Sequence, residues 1–497
     1  MKPLGQGRRL VKNGLSGILG SGVGGLIQFA TLFMIIRALP VEDFGHFSNL
    51  LSFGLIVQYI ADFGLSSVLV KELSARPTEE LALRGKAQGL VWLISGVLLV
   101  GSSVTIFCLY PTWVLRGQAL LMTFMGVAFF QCAGYTAVVR AREDMEWNAY
   151  GHVVHKLVLM GGVVLSIHLA GGVWGIAGAH ALAGLVLLFF YVAVVCRRYG
   201  LVSATWDPSY WVHLFRRSLP LGSGLFVRQF AWQVDIFLLT ALTTPYIVGL
   251  FSAPYRIFAA CLLLAQVLAI PIFPMLSRLS AAGDRAGFER VYQRSIKFLL
   301  LFGVPAAALG WCFSSLIVNR MLGSAYAETT DVFRLLSLIF PLIFAGALFP
   351  FVFAALDRQL TFVLISLVGL ALRVGVAAAL VPTVGFIGAC YGVLISETVV
   401  IGLWMEALRR QGLRVEVGRL IIGVIGGLIA MIGVMQLAGV GQSWLQSCGG
   451  IAAASGVLLA WLWWGRILDA DERDGIRKIM QRVLRRGRKP EPGALQP

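Results

Sequence analysis

The sequence predicts an all-α polytopic membrane protein with about fourteen transmembrane helices. Hydrophobic residues make up 58% of the 497 residues and charged residues only 13%, against about 25% in soluble domains. The mean hydropathy is +0.82, and the charges cluster between long apolar runs, as they do in polytopic membrane proteins. This composition excludes a secreted soluble protein and the disordered, collagenous and disulfide-stabilised classes.

Fourteen apolar segments approach the length of about 20 helical residues that a hydrocarbon core requires. The first, near residues 13–37, is longer than the apolar part of a signal peptide and lacks a small-residue cleavage site, so we expect it to be retained. The others lie near residues 46–69, 87–110, 117–139, 153–170, 174–196, 218–242, 247–276, 296–318, 332–355, 360–381, 385–407, 420–440 and 444–465. A tight turn at Gly171-Gly172 is predicted to separate spans five and six.

The basic residues predict the orientation of the chain. Of the 41 Lys and Arg residues, 34 lie in the N-terminus, in the connections from even- to odd-numbered spans and in the C-terminal tail, whereas three lie on the opposite side. Because Lys and Arg accumulate in cytoplasmic loops, both termini are expected in the cytoplasm. The net charge of +17 is therefore attributed to membrane topology, and no nucleic-acid partner is expected.

The C-terminal tail, residues 467–497, is predicted to contain a basic amphipathic helix. Apolar residues recur there at helical spacing and are surrounded by arginines, so the helix is expected to lie on anionic headgroups at the cytoplasmic surface. No connection between spans is long enough for a soluble domain.

The sequence predicts neither a nucleotide site nor a metal site. Gly85-Lys86 is followed by Ala87 rather than by Ser or Thr, so the chain lacks a Walker loop and is not expected to hydrolyse ATP. The seven cysteines are scattered without metal-ligand spacing. His152 and His155 have suitable spacing but lie beside Lys156 at a predicted cytoplasmic interface. No cofactor is expected.

A faint internal repeat relates two parts of the chain. The segment 35–48 resembles the segment 239–252, 204 residues later, with coincidence at Gly45/Gly249, Phe47/Phe251 and Ser48/Ser252. Spans one and seven enter from the same face, so the copies would be parallel repeats, and two such lobes usually enclose a central site used in alternating access. The predicted units are an N-lobe of residues 1–200, a C-lobe of residues 201–412 and an appendage of residues 413–466.

Three motifs, together with this layout, resemble a known family. They are the Gly/Ser-rich residues 16–22, the run Arg37–Gly45, and the end of the second span at Asp62–Ser67 before Lys71-Glu72. They resemble the polysaccharide-biosynthesis (Wzx-type) flippases of the multidrug/oligosaccharidyl-lipid/polysaccharide (MOP) exporter superfamily. The resemblance implies two six-helix bundles in a V around a cationic cavity, followed by two C-terminal helices.

The resemblance also implies a function and its partners. Such a flippase carries an undecaprenyl-pyrophosphate-linked oligosaccharide, the repeat unit of an O-antigen, capsule or exopolysaccharide, across the bacterial inner membrane. A polysaccharide polymerase and a chain-length regulator are candidate protein partners.

Ionisable residues inside predicted spans mark candidate functional positions, because they are costly in lipid. In span seven, Arg228, Trp232 and Asp235 share one stripe of a helix. An arginine stays charged and binds phosphate bidentately, which suits a pyrophosphate. The predicted substrate-binding residues of the cationic cavity are Arg228, Arg256, Arg373, Gln229 and Trp232.

Three acids also lie within spans, namely Asp62, Asp235 and Glu397. Two roles stay open for them: coupling to protons or sodium, or pairing with arginines to hold helices together. The pairs considered are Arg228 with Asp62 and Arg373 with Glu397. Without a nucleotide site, the membrane voltage is the predicted main source of energy.

Two other functions fit part of the pattern. A cation-coupled multidrug exporter of the same superfamily would need a cavity dominated by carboxylates and aromatic residues, but the arginines in the spans equal or outnumber the acids. A membrane glycosyltransferase using polyprenyl sugars would employ acids such as Glu42-Asp43, yet it usually needs large periplasmic loops, and the predicted outer loops are short. The sequence favours a flippase that is not an enzyme.

Overall fold

The computed structural model describes residues 6–200, 202–413, 417–438 and 449–457. Within these ranges the chain is almost entirely helical and forms no β-strand, which confirms the predicted all-α class. The predicted amphipathic tail, and the last predicted span apart from residues 449–457, lie outside the described residues.

The first half of the chain forms helices that match the first six predicted spans. They are α1 (Gln6–Ala38), α2 (Val41–Asp62), α3 (Leu65–Ala75), α4 (Glu80–Leu109), α5 (Trp113–Ala141), α6 (Met145–His168) and α7 (Gly172–Tyr199). The turn predicted between spans five and six is confirmed, because α6 ends at His168 and α7 begins at Gly172.

A break divides the second span into α2 and α3. Phe63 and Gly64 both have positive φ, of 30° and 80°, a conformation that ends an α-helix and is easily adopted by glycine. Gly64 also lies against Gly222, since a Cβ added to Gly64 would stand 2.7 Å from the Cα of Gly222. The break therefore brings α3 into close contact with α8.

The second half of the chain continues the helical pattern. Its helices are α8 (Pro208–Leu242), α9 (Pro245–Ala269), α10 (Phe273–Ala281), α11 (Arg285–Ile317), α12 (Thr330–Ser337), α13 (Phe340–Gly346), α14 (Phe349–Ala355), α15 (Gln359–Val384), α16 (Ile387–Arg410) and α17 (Val417–Leu437). The tenth predicted span is broken: the segments Ser324–Ser337 and Phe340–Ala355 meet at 44°. A proline in the first turn of α13 and of α14 explains why no continuous helix forms, because proline cannot donate a backbone hydrogen bond.

The described residues form a multi-pass membrane protein. Ten helices are long and apolar enough to cross a membrane, and the broken tenth span would be an eleventh. Two shorter apolar helices, Gly22–Ala38 and Ile422–Leu437, lie within the first and thirteenth predicted spans. Large apolar side chains on α4 such as Trp92, Val100 and Phe107 are exposed, as expected for residues that face lipid.

The helices α2 and α9 contact each other through two related glycines. A Cβ on Gly45 would lie 1.9 Å from the carbonyl oxygen of Pro245, and a Cβ on Gly249 would lie 2.0 Å from that of Val41. Val41 and Pro245 are separated by the same 204 residues as Gly45 and Gly249. Each copy of the repeat thus presents a glycine to the backbone of the other, so both positions exclude a side chain.

The connection between α7 and α8 runs along α4. The Thr205 N–H donates to the Gly85 carbonyl at 2.9 Å, and the Trp211 indole N–H donates to the Lys86 carbonyl at 2.7 Å. The Lys86 ammonium lies 2.7 Å from Asp207. Asp207 also accepts hydrogen bonds from Ser209 and from the backbone N–H of Tyr210. Together with the Lys86 ammonium, they hold the pKa of Asp207 well below its usual value.

The two parts of α8 pack on different halves of the molecule. Trp211 and Leu214 belong to a buried cluster with Ala61, Leu65 and Phe130, all from the first half. Further along, α8 packs on α15. The packing of α8 changes from the first half to α15 near Pro220, which lies inside the helix.

Candidate functional site

A cavity of about 460 Å³ lies between the two halves of the molecule. The helices α2, α3, α5, α6 and α7 contribute one side of its wall, and α8 and α9 contribute the other. Its wall contains aromatic rings and neutral polar side chains, among them Tyr59, Phe129, Tyr191, Phe226, Gln58, Asn148, Gln229 and Gln266. The cavity therefore combines apolar faces with hydrogen-bonding groups.

Basic side chains from both halves line this cavity. Arg228 comes from α8, Arg140 from α5 and Lys156 from α6. The Lys156 ammonium donates to the Gln28 amide oxygen of α1 at 2.6 Å. Among the ion pairs between described residues, none involves Arg140, Lys156 or Arg228, so their charges are not neutralised by a carboxylate in contact.

The single carboxylate among the described lining residues is Asp62, at the end of α2. Its two oxygens accept hydrogen bonds from the Ser66 N–H and hydroxyl, both at 3.0 Å. Asp62 thereby satisfies a free N–H in the first turn of α3. It does not pair with Arg228, which was one arrangement considered from the sequence.

The basic residues that the first half contributes to the cavity were not predicted from the sequence. Arg140, His152, His155 and Lys156 line the cavity, whereas the pattern of charges suggested a cytoplasmic interface and placed most cavity cations in the second half. A signal was present: Asn148, His152 and His155 follow each other at i, i+4 and i+7, which is one stripe of a helix.

Arg373 lies outside the large cavity, in a buried ion pair. Its Nε is 3.0 Å from both oxygens of Asp235, its Nη2 donates to the Tyr255 hydroxyl at 2.8 Å, and its Nη1 lies 3.4 Å from Glu397. Arg373 and Asp235 are each only 1% exposed. This network joins α8, α9, α15 and α16, and it differs from the substrate-facing position that the sequence suggested for Arg373.

Arg228 separates the large cavity from this buried network. A small space of about 30 Å³ is lined by Arg228, Trp232, Arg373 and Glu397, and the Arg373 guanidinium lies 5.8 Å from the centre of the Trp232 ring. Of the five residues predicted to bind substrate, Arg228 and Gln229 line the large cavity. Trp232 and Arg373 line only the small space.

Arg256 connects α9 to α2. Its Nη2 donates to the Ser48 carbonyl at 2.8 Å and lies 3.4 Å from the Ser52 hydroxyl, while its Nε lies 3.3 Å from the Ser48 hydroxyl. Ser52 is the position 204 residues before Arg256. The arginine of one copy of the repeat therefore binds the neutral counterpart residue of the other.

Helix contacts join the two halves on both sides of the cavity. Near the start of α2, the Asn49 amide donates to the Thr240 hydroxyl at 3.0 Å, and the Arg37 guanidinium donates to the Met321 carbonyl at 3.0 Å. Near α3, Glu72 and Arg217 form an ion pair of 2.7 Å. A Cβ on Gly222 would lie 1.9 Å from the Phe63 carbonyl oxygen. The two halves are thus in contact on both sides of the cavity.

Comparisons with known proteins agree on the fold. The structure of the lipid II flippase MurJ in its inward closed conformation matches with a TM-score of 0.73, at 13% identity, over 92% of this chain and 100% of that chain. An inward-facing multidrug resistance MATE family transporter of the MOP superfamily matches with a TM-score of 0.64, at 15% identity, over 78% of this chain and 95% of that chain. The predicted fold class is confirmed.

Sequence comparison identifies the family. The probable low-salt glycan biosynthesis flippase Agl15 of Haloferax volcanii is 23% identical over 340 residues, which cover 66% of this chain and 68% of that protein. The family described as polysaccharide biosynthesis protein matches residues 10–280, more than half of the sequence. The chain therefore belongs to the polysaccharide biosynthesis protein family, with the fold of the MOP exporter superfamily.

Proposed function

We propose that this protein is a flippase that moves a polyprenyl-pyrophosphate-linked oligosaccharide from the cytoplasmic to the periplasmic leaflet of the bacterial inner membrane. The observation that carries this proposal is the cavity between the two halves, with Arg140, Lys156 and Arg228 in its wall and no carboxylate paired with them among the described residues. The family supports the movement of a lipid-linked glycan. The relative Agl15 is named as a probable flippase of glycan biosynthesis, which agrees with this class of substrate.

The cavity suits the headgroup of such a lipid. A pyrophosphate diester carries two negative charges, and it loses part of its hydration when it enters a cavity between helices. Arginine offsets that cost with charge-assisted, bidentate hydrogen bonds, and lysine does so as a point charge. The aromatic and amide side chains of the wall are suited to sugar rings and hydroxyl groups.

The structure divides the predicted cavity arginines into different proposed roles. Arg228 remains the proposed pyrophosphate ligand of the second half. Arg256 is proposed to hold α2 against α9 in this conformation, because its partners are the Ser48 carbonyl and two serine hydroxyls. Arg373 is proposed to be the fixed counter-ion of Asp235.

The Asp235–Arg373 pair also bears on the source of energy. Since Arg373 occupies both oxygens of Asp235, this carboxylate is not free to bind a sodium ion. Voltage favours outward movement of an anion by about 2.3 kcal/mol per charge per 100 mV when the cell interior is negative. We propose that voltage drives the cycle.

The multidrug-exporter alternative gains no support from the cavity. A pocket for cationic drugs would need carboxylates, and among the described lining residues only Asp62 supplies one. That carboxylate already accepts two hydrogen bonds from Ser66.

The test is a flipping assay with purified full-length protein in proteoliposomes. Arg228→Ala should abolish movement of a fluorescent polyprenyl-pyrophosphate disaccharide, and Arg228→Lys should restore only part of it, because a point charge does not reproduce the guanidinium fork. Arg410→Ala is the matched control, since Arg410 is largely exposed and pairs only with Glu406. Absence of flipping by the unaltered protein, or full activity of Arg228→Ala, would contradict the proposal.

A further inference from the structure

We infer that the sugars next to the pyrophosphate in the transported lipid are uncharged; this inference deepens the proposed function and rests on it. The fixed charges of the cavity wall are the positive Arg140, Lys156 and Arg228 and the negative Asp62. With histidine uncharged, they leave a net charge of two positive units. This equals in magnitude the charge of a pyrophosphate diester.

The charges directly behind the cavity wall do not change this balance. Arg256 and Arg373 contribute two positive charges, and Asp235 and Glu397 contribute two negative charges. Arg373 and Asp235 form the buried ion pair, and Glu397 lies 3.4 Å from Arg373. The charged residues named in the cavity wall and directly behind it therefore still sum to two positive units.

An acidic sugar would add a third negative charge, which the net positive charge of the cavity does not balance. Its carboxylate would enter a space between the two halves in which the pyrophosphate has already taken up the excess positive charge, and a charge that loses water without gaining a partner is unfavourable. The remaining wall consists largely of neutral groups, such as the rings of Tyr59 and Phe226 and the amides of Asn148 and Gln266. The Tyr59 hydroxyl and the two amides can donate to and accept from sugar hydroxyls, and none of these groups supplies a charge to balance a uronic acid.

The size of the cavity limits the inference to the sugars nearest the phosphates. A volume of about 460 Å³ is typical of sites for drug-sized ligands. The cavity therefore has room for the part of the headgroup around the pyrophosphate, and selection by charge acts on that part of the glycan.

The experiment compares two synthetic lipids in proteoliposomes that contain the full-length protein. Both carry a polyprenyl pyrophosphate and the same disaccharide, except that the sugar adjoining the phosphates has either a hydroxymethyl group or a carboxylate at C6. The assay is run at pH 7, above the usual histidine pKa of about 6.5 and well below the usual lysine pKa of about 10.4. We expect the neutral lipid to flip at least about tenfold faster, a difference that corresponds to about 1.4 kcal/mol.

A charge-changing variant tests the cause of the selectivity. Asp62→Asn raises the net charge of the cavity by one unit, while its amide oxygen can still accept the Ser66 N–H. It should shift the ratio of rates toward the acidic lipid by about tenfold. Glu79→Gln is the matched control, because Glu79 is an exposed residue at the start of α4, and it should leave the ratio unchanged.

The outcomes separate this inference from the proposed function. If neither lipid flips, the proposed function is wrong and the inference falls with it. If both lipids flip at similar rates, or the acidic one flips faster, the flippase assignment stands and the inference is overturned by the unaltered protein alone. A shift caused by Glu79→Gln as large as that of Asp62→Asn would also overturn it.

Discussion

Arg228 and Arg373 line the same small space, but they differ in what surrounds them. Arg373 is held by Asp235, Tyr255 and Glu397 and is 1% exposed. Arg228 also borders the large cavity, and no carboxylate pairs with it among the described residues. A buried pair that loses one partner leaves an uncompensated charge, whereas a cation at a cavity wall can be removed without this penalty. Similar side chains are therefore expected to respond differently to mutation.

The first prediction concerns the buried pair. Asp235→Asn should destabilise the protein by about 3–5 kcal/mol, because the Arg373 guanidinium would be left buried without its main counter-ion. Thermal unfolding in detergent and abundance in the membrane should both fall. Arg228→Ala should leave both near the level of the unaltered protein while abolishing transport. Equal loss of stability in the two variants would contradict the separate roles.

At the scale of the helices, close backbone contacts determine how the halves meet. Gly45 and Gly249 each face a carbonyl oxygen of the opposite helix, and the hydrogen bonds of Arg256 lie on the same pair of helices. The contact between α2 and α9 therefore depends on the absence of two side chains. A bulkier residue at either position would separate the helices.

The second prediction tests this contact. Gly249→Ala should abolish transport and raise the labelling of a cysteine introduced at Ser252, a fully buried position on α9, by a water-soluble maleimide. Gly96→Ala on α4 is the control, because no atom lies within 4 Å of an added Cβ there and alanine is favoured over glycine in a helix by about 1 kcal/mol. Normal transport by Gly249→Ala would show that the closed contact is dispensable.

The helices and the turns between them could be predicted because each depends on a local pattern of apolar residues, glycine and proline. The break at Gly171-Gly172 is an example. The pairing of Arg373 with Asp235 could not be predicted, because these residues are 138 positions apart and no spacing shows which helix faces meet. Lys156 was assigned to an interface because span five was predicted from residue 153, whereas α6 begins at Met145 and carries Lys156 three turns into the helix.

At the scale of the whole molecule, the cavity and the orientation of the chain together define a direction of transport. The two halves touch on both sides of the cavity, at Asn49–Thr240 and at Glu72–Arg217. Alternating access requires that these two sets of contacts open in turn. The proposed direction depends on which set faces the cytoplasm.

The third prediction therefore concerns topology. Both termini are expected in the cytoplasm, since 34 of the 41 basic residues are assigned to that side. A reporter that is active only in the periplasm should be silent when fused after Lys489 and active when inserted near Gln442. The reverse pattern would invert the proposed direction of transport.

The fourth prediction concerns energy. Collapsing the membrane potential with valinomycin at equal potassium concentrations should slow flipping of the lipid-linked oligosaccharide in proteoliposomes, because the anionic headgroup then gains nothing from the field. Removing a sodium gradient at constant voltage should have no effect. Unchanged rates without voltage, together with loss of transport when the sodium or proton gradient is removed, would indicate ion antiport.

The divided packing of α8 has a mechanical consequence. Its first turns pack on the first half through Trp211 and Leu214, and its later turns pack on α15 of the second half, with one hydrogen bond from Asn49 of α2 to Thr240. Any rotation of one half against the other must then bend this single helix between those anchors. Pro220 lies there and lacks a backbone donor, so the bend breaks fewer hydrogen bonds than elsewhere in the helix. We therefore expect α8 to bend at the segment 220–224 when the two halves rotate against each other.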